Sequence, residues 1–439
     1  MIDSHELRRR DSYLKKLIGF QDTEPVKVIT GIRRCGKSSL LKLMVQHLKD
    51  TGVLPEQIIE MNFESFDFHK MSADDVYRYV KERIIAGKRM YLFFDELQRI
   101  KAWEDAVNAF RVDFDCDIYV TGSNAYLLSS EYATYLSGRC VEIKMLPLSF
   151  REFLDFHGFD VRETQSALGG LRKQVFDKNN ERYELREVFA AYMRFGGMPG
   201  IADVGLEQEK VLALLDGIYS TVVIRDILER ETRRGQKQIT DPALLRKIIL
   251  FLADNIGSSV SIASIGNTLV NEGLLDDDKR KGILSAHTVQ AYVNALLESY
   301  FFYEIKRFDI KGKAYLRTLG KYYIVDIGLR NYLLGFRNRD SGHAIENVVY
   351  FELLRRGYDV AIGKIGNGEV DFIATTADEK KYIQVTESMM SEDVRKRELA
   401  PLQSIRDNYE KIVLSLEPGL DTSYDGIKSE NLIDWLLNE

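Results

Sequence analysis

Over residues 26–150 the chain alternates short apolar runs with amphipathic stretches. The runs are "VKVIT", "IIEMNF", "MYLFF", "DIYVT" and "VEIKML". Strand-length runs separated by helical stretches predict a parallel sheet covered on both faces, because parallel strands need crossovers and helices usually supply them. Residues 157–185 are polar, are broken by Gly169-Gly170, and read as a loop or insertion. Residues 186–235 read as helical around the break "GGMPG". Three helical stretches follow. "DPALLRKIILFLADNIG" has Asp241 as its cap and Pro242 in its first turn, and "SIASIGNTLVNE" and "SAHTVQAYVNALLESY" come after it. The alternation in "FFYEIKRFDIKGKAYLRTLGKYYIVD" predicts a hairpin turning at "KGK". Beyond the polar joint "FRNRDSGHA" the chain reads helix, strand, strand, strand, helix, strand and a final helix. The pattern divides the chain into an α/β core over 1–155, a helical extension over 156–240, a helix-and-hairpin module over 241–332, and a second α/β domain over 333–439.

Composition narrows this picture. The chain has 439 residues, 45% of them hydrophobic, enough for several domains with sizeable cores. A formal net charge of -6 excludes a bulk nucleic-acid coat, so any nucleic-acid contact must come from a local basic patch. Apolar runs such as "IILFLA" are too short to span a membrane, and "MIDSHELRRR" has no apolar stretch of a secretory signal. Cys35, Cys116 and Cys140 form no C-x-x-C pair and read as reduced thiols of a cytoplasmic protein. The histidines lack H-x-x-x-H spacing, so no zinc site is expected.

The chemistry concentrates in "GIRRCGKSS". Gly31, Gly36, Lys37 and Ser38 satisfy G-x-x-x-x-G-K-[ST] between an apolar strand and a helix. Glycines let backbone N–H groups close around phosphate oxygens, and the helix that follows points its N-terminal N–H groups at the anion. The expected ATP cradle is Gly31, Ile32, Arg33, Arg34, Cys35, Gly36, Lys37, Ser38 and Ser39. Lys37 would reach the terminal phosphates and Ser38 would ligate Mg²⁺. "MYLFFDELQ" places Asp95-Glu96 at the carboxyl end of a buried strand, where ligands of open α/β sheets bind. Asp95 is expected to hold Mg²⁺ and Glu96 to polarise the attacking water. "IYVTGSN" ends another strand in Thr121, Gly122, Ser123 and Asn124, small polar groups suited to a γ-phosphate or a water but equally to turns and caps.

With "DELQ", "TGSNAYLLS", "LSGRCVEIKMLPLSFREFL" and "GGMPG" following in order, the chain resembles a large prokaryotic family of AAA-type P-loop ATPases whose C-terminal region is catalogued as a domain of unknown function. The resemblance implies a catalytic acid directly after the Mg²⁺ aspartate, here Glu96, and a sensor role at Ser123 or Asn124. It also leaves two readings for Arg139 in "SGR": a charge-stabilising arginine at a γ-phosphate, of its own chain or a neighbour's in a homo-oligomer, or a structural ion pair. Cys35 departs from the branched apolar residue more usual in this loop.

The resemblance further implies that the module over 241–332 is a winged helix. Its third helix carries no Lys or Arg, but the hairpin carries Lys306, Arg307, Lys311, Lys313, Arg317 and Lys321. These residues suit DNA phosphates or form a solvated hairpin packed on the ATPase. The stretch from His343 to Ser388 resembles the core of restriction-endonuclease-like domains. Their helix glutamate, strand aspartate, acid-or-Gln and lysine map to Glu346, Asp371, Gln384 and Thr386. Threonine cannot supply the lysine's charge, and Lys381 or Lys396 would substitute only if folding brought it there. The expectation is therefore an Mg²⁺-dependent ATPase whose nucleotide state switches a winged-helix and degenerate nuclease-like module acting on DNA. The alternatives are a slow ATP switch acting on a protein partner and an ATP-gated nuclease.

Overall fold

The structure, a computed structural model, describes residues 7–125, 138–165, 171–229, 239, 241–271, 285–316, 319–337, 341–366, 368–419 and 421–438. The chain divides into two compact units. The first ends at Leu146 and adds Glu298–Tyr300; the second comprises Pro147–Leu297 and Phe301–Glu439.

The first unit is built on five parallel strands: β1 (Val26–Thr30), β2 (Ile58–Asn62), β3 (Met90–Asp95), β4 (Cys116–Gly122) and β5 (Cys140–Lys144), in spatial order β2-β3-β4-β1-β5. Burial follows position. β1 and β3 are buried at every residue, whereas the edge strands β2 and β5 are not. The helices are α1 (Asp11–Gly19), α2 (Lys37–Asp50), α3 (Ala73–Lys81) and α4 (Trp103–Asp113). α3 and α4 cover one face, where Val76, Val80, Val107 and Phe110 pack against Val28, Leu92, Phe94 and Val120. α2 packs on β3 and β4, and α1 on α2 and β5, on the other. The five expected strands are all present, at these residues.

The compact division falls at Leu146, ahead of the expected boundary at residue 155. The helix Phe150–His157, capped by Ser149, belongs to the second unit, where the Phe150 ring meets Phe189 and Tyr192. Of the two readings of 157–185, loop or insertion, the loop is corrected. Strands β6 (Asp160–Gln165), β7 (Leu171–Phe176) and β8 (Arg182–Tyr183) form an antiparallel sheet, so the extension over 156–240 is not helical throughout. Gly169-Gly170 lies outside the described residues. The helices Leu185–Phe195, Ile201–Val204 and Gln208–Ser220 follow, then a π-helical turn over Thr221–Glu229.

"GGMPG" is a packing joint. A Cβ on Gly196, at φ +82°, would stand 2.2 Å from Asp326 Oδ1, and one on Gly197 would stand 2.4 Å from the Leu148 carbonyl oxygen. Asp326 caps the helix Ile327–Leu334 by accepting from the Leu329 N–H at 3.1 Å, and it also accepts from the Gly197 N–H at 2.6 Å. Burial pushes its carboxyl up to about 6 from an ordinary 3.8. A raised folded value favours the folded state only while the group is protonated, so this contribution fades as pH rises from about 4 to about 6. Relative to wild type, Asp326→Asn should therefore gain up to about 3 kcal/mol between pH 4 and pH 7. The hydrogen bond that disappears with one carboxylate oxygen adds an offset that does not vary with pH. Urea unfolding of both proteins across that range tests this; a stability difference that is flat with pH would remove Asp326 as its source.

The helices Pro242–Asp254, Ile262–Asn271 and Ala286–Glu298 precede a divided hairpin. β10 (Phe302–Ile305) and β13 (Gly320–Ile324) pair with each other, and β13 pairs with β9 (Ser259–Val260). At the tip, β11 (Arg307–Asp309) and β12 (Ala314–Tyr315) turn about Lys311-Gly312-Lys313, and β11 adds in parallel to the C-terminal sheet. That sheet contains β14 (Asp359–Ile365), β15 (Gly368–Thr375), β16 (Lys380–Ser388), β17 (Glu410–Glu417), β18 (Ser423–Tyr424) and β19 (Ile427–Asn431). Its order is β12-β11-β14-β15-β16-β17-β19-β18. The helices Ser341–Arg355 and Glu392–Gln403 pack on it. Among the described residues no helix is long and apolar enough to cross a membrane.

Candidate active site

Parallel strands bring the ends of β1, β3 and β4 to one pole of the first unit, and the sequence places its polar residues at those ends. The loop after β1 turns on Gly31, at φ +144°, where a Cβ would stand 2.1 Å from the Met145 carbonyl oxygen, and on Gly36, at φ +106°. Only glycine fits the first position without moving the backbone that follows β5. α2 starts directly after Gly36, and no side chain caps it, so its first N–H groups remain open to an anion. The Lys37 amine is buried and donates to the carbonyl oxygens of Gly31 at 3.0 Å and Ile32 at 3.1 Å. Ile32 and Cys35 are fully buried and anchor the loop from below, whereas Arg34, Ser38 and Ser39 face solvent. Arg10 fixes the back of the loop by donating to Cys35 O at 3.1 Å and Leu146 O at 2.7 Å.

Asp95 ends β3. Its Oδ1 accepts from Thr121 Oγ1 at 2.5 Å and its Oδ2 from Asn62 Nδ2 at 3.0 Å. Glu96 adopts a left-handed backbone, φ 57°, and its N–H donates to Thr121 Oγ1 at 2.9 Å. The Glu96 carboxylate is nearly buried. Its Oε2 accepts from Gln98 Nε2 at 2.5 Å and Ser123 Oγ at 3.3 Å. Asn124 is buried beside Ser123 at the end of β4. The structure thus brings Lys37, Asp95, Glu96, Ser123 and Asn124 to one pole. Asn62 and Gln98 were missed. The first was legible as a polar end to β2, and the second as the residue two beyond the catalytic-type acid.

Arg139 stands elsewhere. It is exposed and precedes β5, and its carbonyl accepts from the N–H of Val26, the first residue of β1. The loop begins at the other end of β1, five residues away, a separation of about 16 Å along the strand.

A second cluster occupies the C-terminal sheet. Glu346 Oε2 accepts from Tyr323 OH at 3.1 Å and lies 3.7 Å from Lys321 Nζ; its Oε1 lies 3.5 Å from His343 Nδ1. Lys321 also pairs with Glu369 at 2.9 Å. Asp371 accepts from the Val385 N–H at 2.8 Å; burial and the Glu346 charge push its carboxyl well up. Burial opposes the charge of Lys321, but Glu346, Asp371 and Glu369 overcome it and hold the ammonium above its ordinary range. Gln384 is spent within the fold: its Oε1 accepts from the Asp371 N–H at 3.4 Å and its Nε2 donates to Glu398 at 3.0 Å. Thr386 is buried on the same strand. Neither proposed substitute for the missing lysine comes here. Lys381 pairs with Glu379 and Glu410, and Lys396 pairs with Glu392 at the surface. Lys321, read from sequence as part of a basic wing, is the cation that arrives. Arg307 is half-buried, 3.8 Å from Glu369. Lys306, Lys311 and Lys313 are exposed; Arg317 lies outside the described residues. Among the described residues no group of three or more metal-type ligands is assembled.

Comparison with known proteins bears on the domain that carries the first pole. A family model described as an AAA domain matches residues 23–154. One described as a domain of unknown function (DUF8612) matches residues 186–340, the middle of the chain and not its C-terminal end. An uncharacterized protein of Haemophilus influenzae is 39% identical over 432 residues, covering 98% of either chain. Uncharacterized protein MJ1544 of Methanocaldococcus jannaschii is 31% identical over 400 residues, covering 89% of this chain and 79% of its own. Among solved structures, the Walker-type ATPase PABY2304 of Pyrococcus abyssi is 16% identical at a TM-score of 0.47, covering 74% of this chain and 95% of its own. The RuvB Holliday junction branch migration motor of Thermotoga maritima is 13% identical at a TM-score of 0.32, covering 67% of this chain and 89% of its own.

Proposed function

We propose that this chain, which carries an AAA domain over residues 23–154 and belongs to one family with the Haemophilus influenzae and Methanocaldococcus jannaschii relatives, is an Mg²⁺-dependent ATPase. The observation that carries the reading is the meeting at one pole of an uncapped helix start, a buried Lys37 and the Asp95-Glu96 pair. The Ser38 hydroxyl and the Asp95 carboxylate are hard oxygen donors that would hold Mg²⁺. Bound there, it would supply charge neutralisation at the nucleotide phosphates. Lys37 leaves the loop carbonyls for the terminal phosphates. Glu96 takes a proton from the attacking water, whose oxygen bonds the γ-phosphorus. The bond to the bridging oxygen breaks with its electron pair, giving ADP and phosphate. Ser123 and Asn124 orient Glu96 and that water. Arg139, at the far end of β1, acts only at the site of a second copy, in a homo-oligomer.

Nucleotide state then switches a winged helix acting on DNA; the support is a strand, β9, after the first of three helices and two strands, β10 and β13, after the third, joined in one sheet. Exposed Lys306, Lys311 and Lys313 support phosphate contact; a protein partner is the alternative. Purified protein should hydrolyse ATP, Lys37→Ala should abolish hydrolysis, and duplex or branched DNA should raise the wild-type rate. Turnover indifferent to every nucleic acid would favour the protein partner. Neutralising Lys311 and Lys313 should lower the salt slope of DNA binding by about one for each phosphate no longer neutralised; an unchanged slope would clear the tip of that role.

The C-terminal sheet is read as restriction-endonuclease-like and inert. Gln384 is engaged by Glu398, and the Lys321 ammonium sits among the carboxylates where a divalent cation would be needed. Supercoiled DNA incubated with ATP and Mg²⁺ or Mn²⁺ should stay intact. Nicking by wild type that disappears in Asp371→Ala would overturn this and favour an ATP-gated nuclease.

A further inference from the structure

Three segments leave the sheet at the phosphate pole, and each sends one charged side chain into a single bridge. Arg33 comes from the loop after β1, Glu64 from two residues beyond β2, and Arg99 from the turn after β3. Arg33 Nη2 and Arg99 Nη2 both donate to Glu64 Oε1, the second at 2.8 Å. Glu64 is itself positioned. Its N–H donates to Asn62 Oδ1 at 2.8 Å, and Asn62 Nδ2 donates to Asp95 Oδ2 at 3.0 Å. One amide therefore links the carboxylate assigned to the metal with the residue that gathers the arginines.

We propose that Glu64 stands in for the terminal phosphate: it holds Arg33 and Arg99 together until ATP arrives, and both guanidinium groups then pass to the γ-phosphate. The inference rests on the ATPase reading above and adds what the site discriminates, a nucleoside triphosphate from a diphosphate. A terminal phosphate offers three oxygens and more charge than a carboxylate, and the guanidinium fork suits it. The bridge is open enough to be exchanged, with side-chain exposures of 12% for Arg33, 24% for Arg99 and 38% for Glu64. The Arg99–Glu64 half is the more exposed and therefore the more easily exchanged. ADP has no γ-phosphate to claim the arginines and leaves the bridge closed. After hydrolysis and phosphate release Glu64 takes them back.

The test is the ratio of ATP to ADP affinity, measured by titration calorimetry on the full chain. Arg33→Ala and Arg99→Ala should each weaken ATP about tenfold or more, the worth of a charge-assisted bond, with ADP changed less than about threefold. Glu64→Gln removes the competing charge and should raise ATP affinity several-fold relative to ADP. Arg33→Gln and Arg99→Gln serve where an alanine variant fails to fold, with the same expected loss of ATP preference. Equal weakening of ATP and ADP by the arginine variants, or a ratio unmoved by Glu64→Gln, overturns the inference. Folded wild-type protein that binds neither nucleotide would instead sink the ATPase reading beneath it.

Discussion

Glu96→Gln protein should bind ATP as wild type does and hydrolyse it about a hundred to ten thousand times more slowly, the range that a positioned proton acceptor contributes. The substitution is confined to one function because of how the residue is held. Its backbone is already left-handed at φ 57°, a strain that Gln bears as Glu does, and its N–H keeps its bond to Thr121 Oγ1. The amide oxygen can still accept from Gln98 and Ser123. Asp95 keeps both its partners, Thr121 and Asn62, so the carboxylate assigned to Mg²⁺ is untouched. Only the basicity is gone. Binding by calorimetry and turnover by phosphate release separate the two properties. Turnover within a few-fold of wild type would take Glu96 out of the proton-accepting role and turn attention to water held by Ser123 and Asn124.

The central strands of the first unit were legible because their runs are largely apolar, as a doubly covered parallel strand requires. The site followed, because a residue's place at the end of such a strand fixes its pole. The same logic, carried one step further, locates Arg139. A residue that precedes a parallel strand must lie opposite residues that follow one. "DVRETQ" and "LRKQVF" were read as loop because their antiparallel sheet carries a largely polar face, and little distinguishes such a strand from a linker. Lys321 shows a different limit. Its strand was foreseen, but whether a lysine on a hairpin meets water or carboxylates depends on which element covers that face. Here β11 adds to β14 and brings the hairpin onto the C-terminal sheet. Gln98, Asn62 and Glu64 were passed over for a similar reason: an isolated polar residue gains meaning only from the groups that another strand carries to it.

Asp117→Ala should cost the protein about 3–5 kcal/mol, the usual penalty for stranding one member of a buried ion pair. At the pole opposite the phosphate loop, Lys27 of β1 and Asp117 of β4 face each other with no side-chain exposure, Nζ to Oδ1 2.5 Å. The aspartate serves three donors, since its Oδ2 also accepts from the Asp22 N–H at 2.8 Å and Tyr119 OH at 2.9 Å. Among the described residues, the alanine variant leaves Lys27 the Thr23 carbonyl oxygen, 2.8 Å away, as its one hydrogen-bond acceptor. Burial already lowers the Lys27 ammonium against the opposing pull of Asp117. Without the carboxylate the amine can shed its proton, which limits the loss without cancelling it. The paired replacement Lys27→Met with Asp117→Leu removes both charges and should recover most of the stability, because well-packed apolar residues avoid the desolvation that the pair must overcome. The folded fraction of each variant should retain wild-type ATP affinity, since the pair lies a strand length from the loop. Urea unfolding of the single and paired variants decides the matter. An Asp117→Ala protein within about 1 kcal/mol of wild type, the worth of an exposed pair, would mean that water reaches Lys27 and that the pair is no part of what holds β1 to β4.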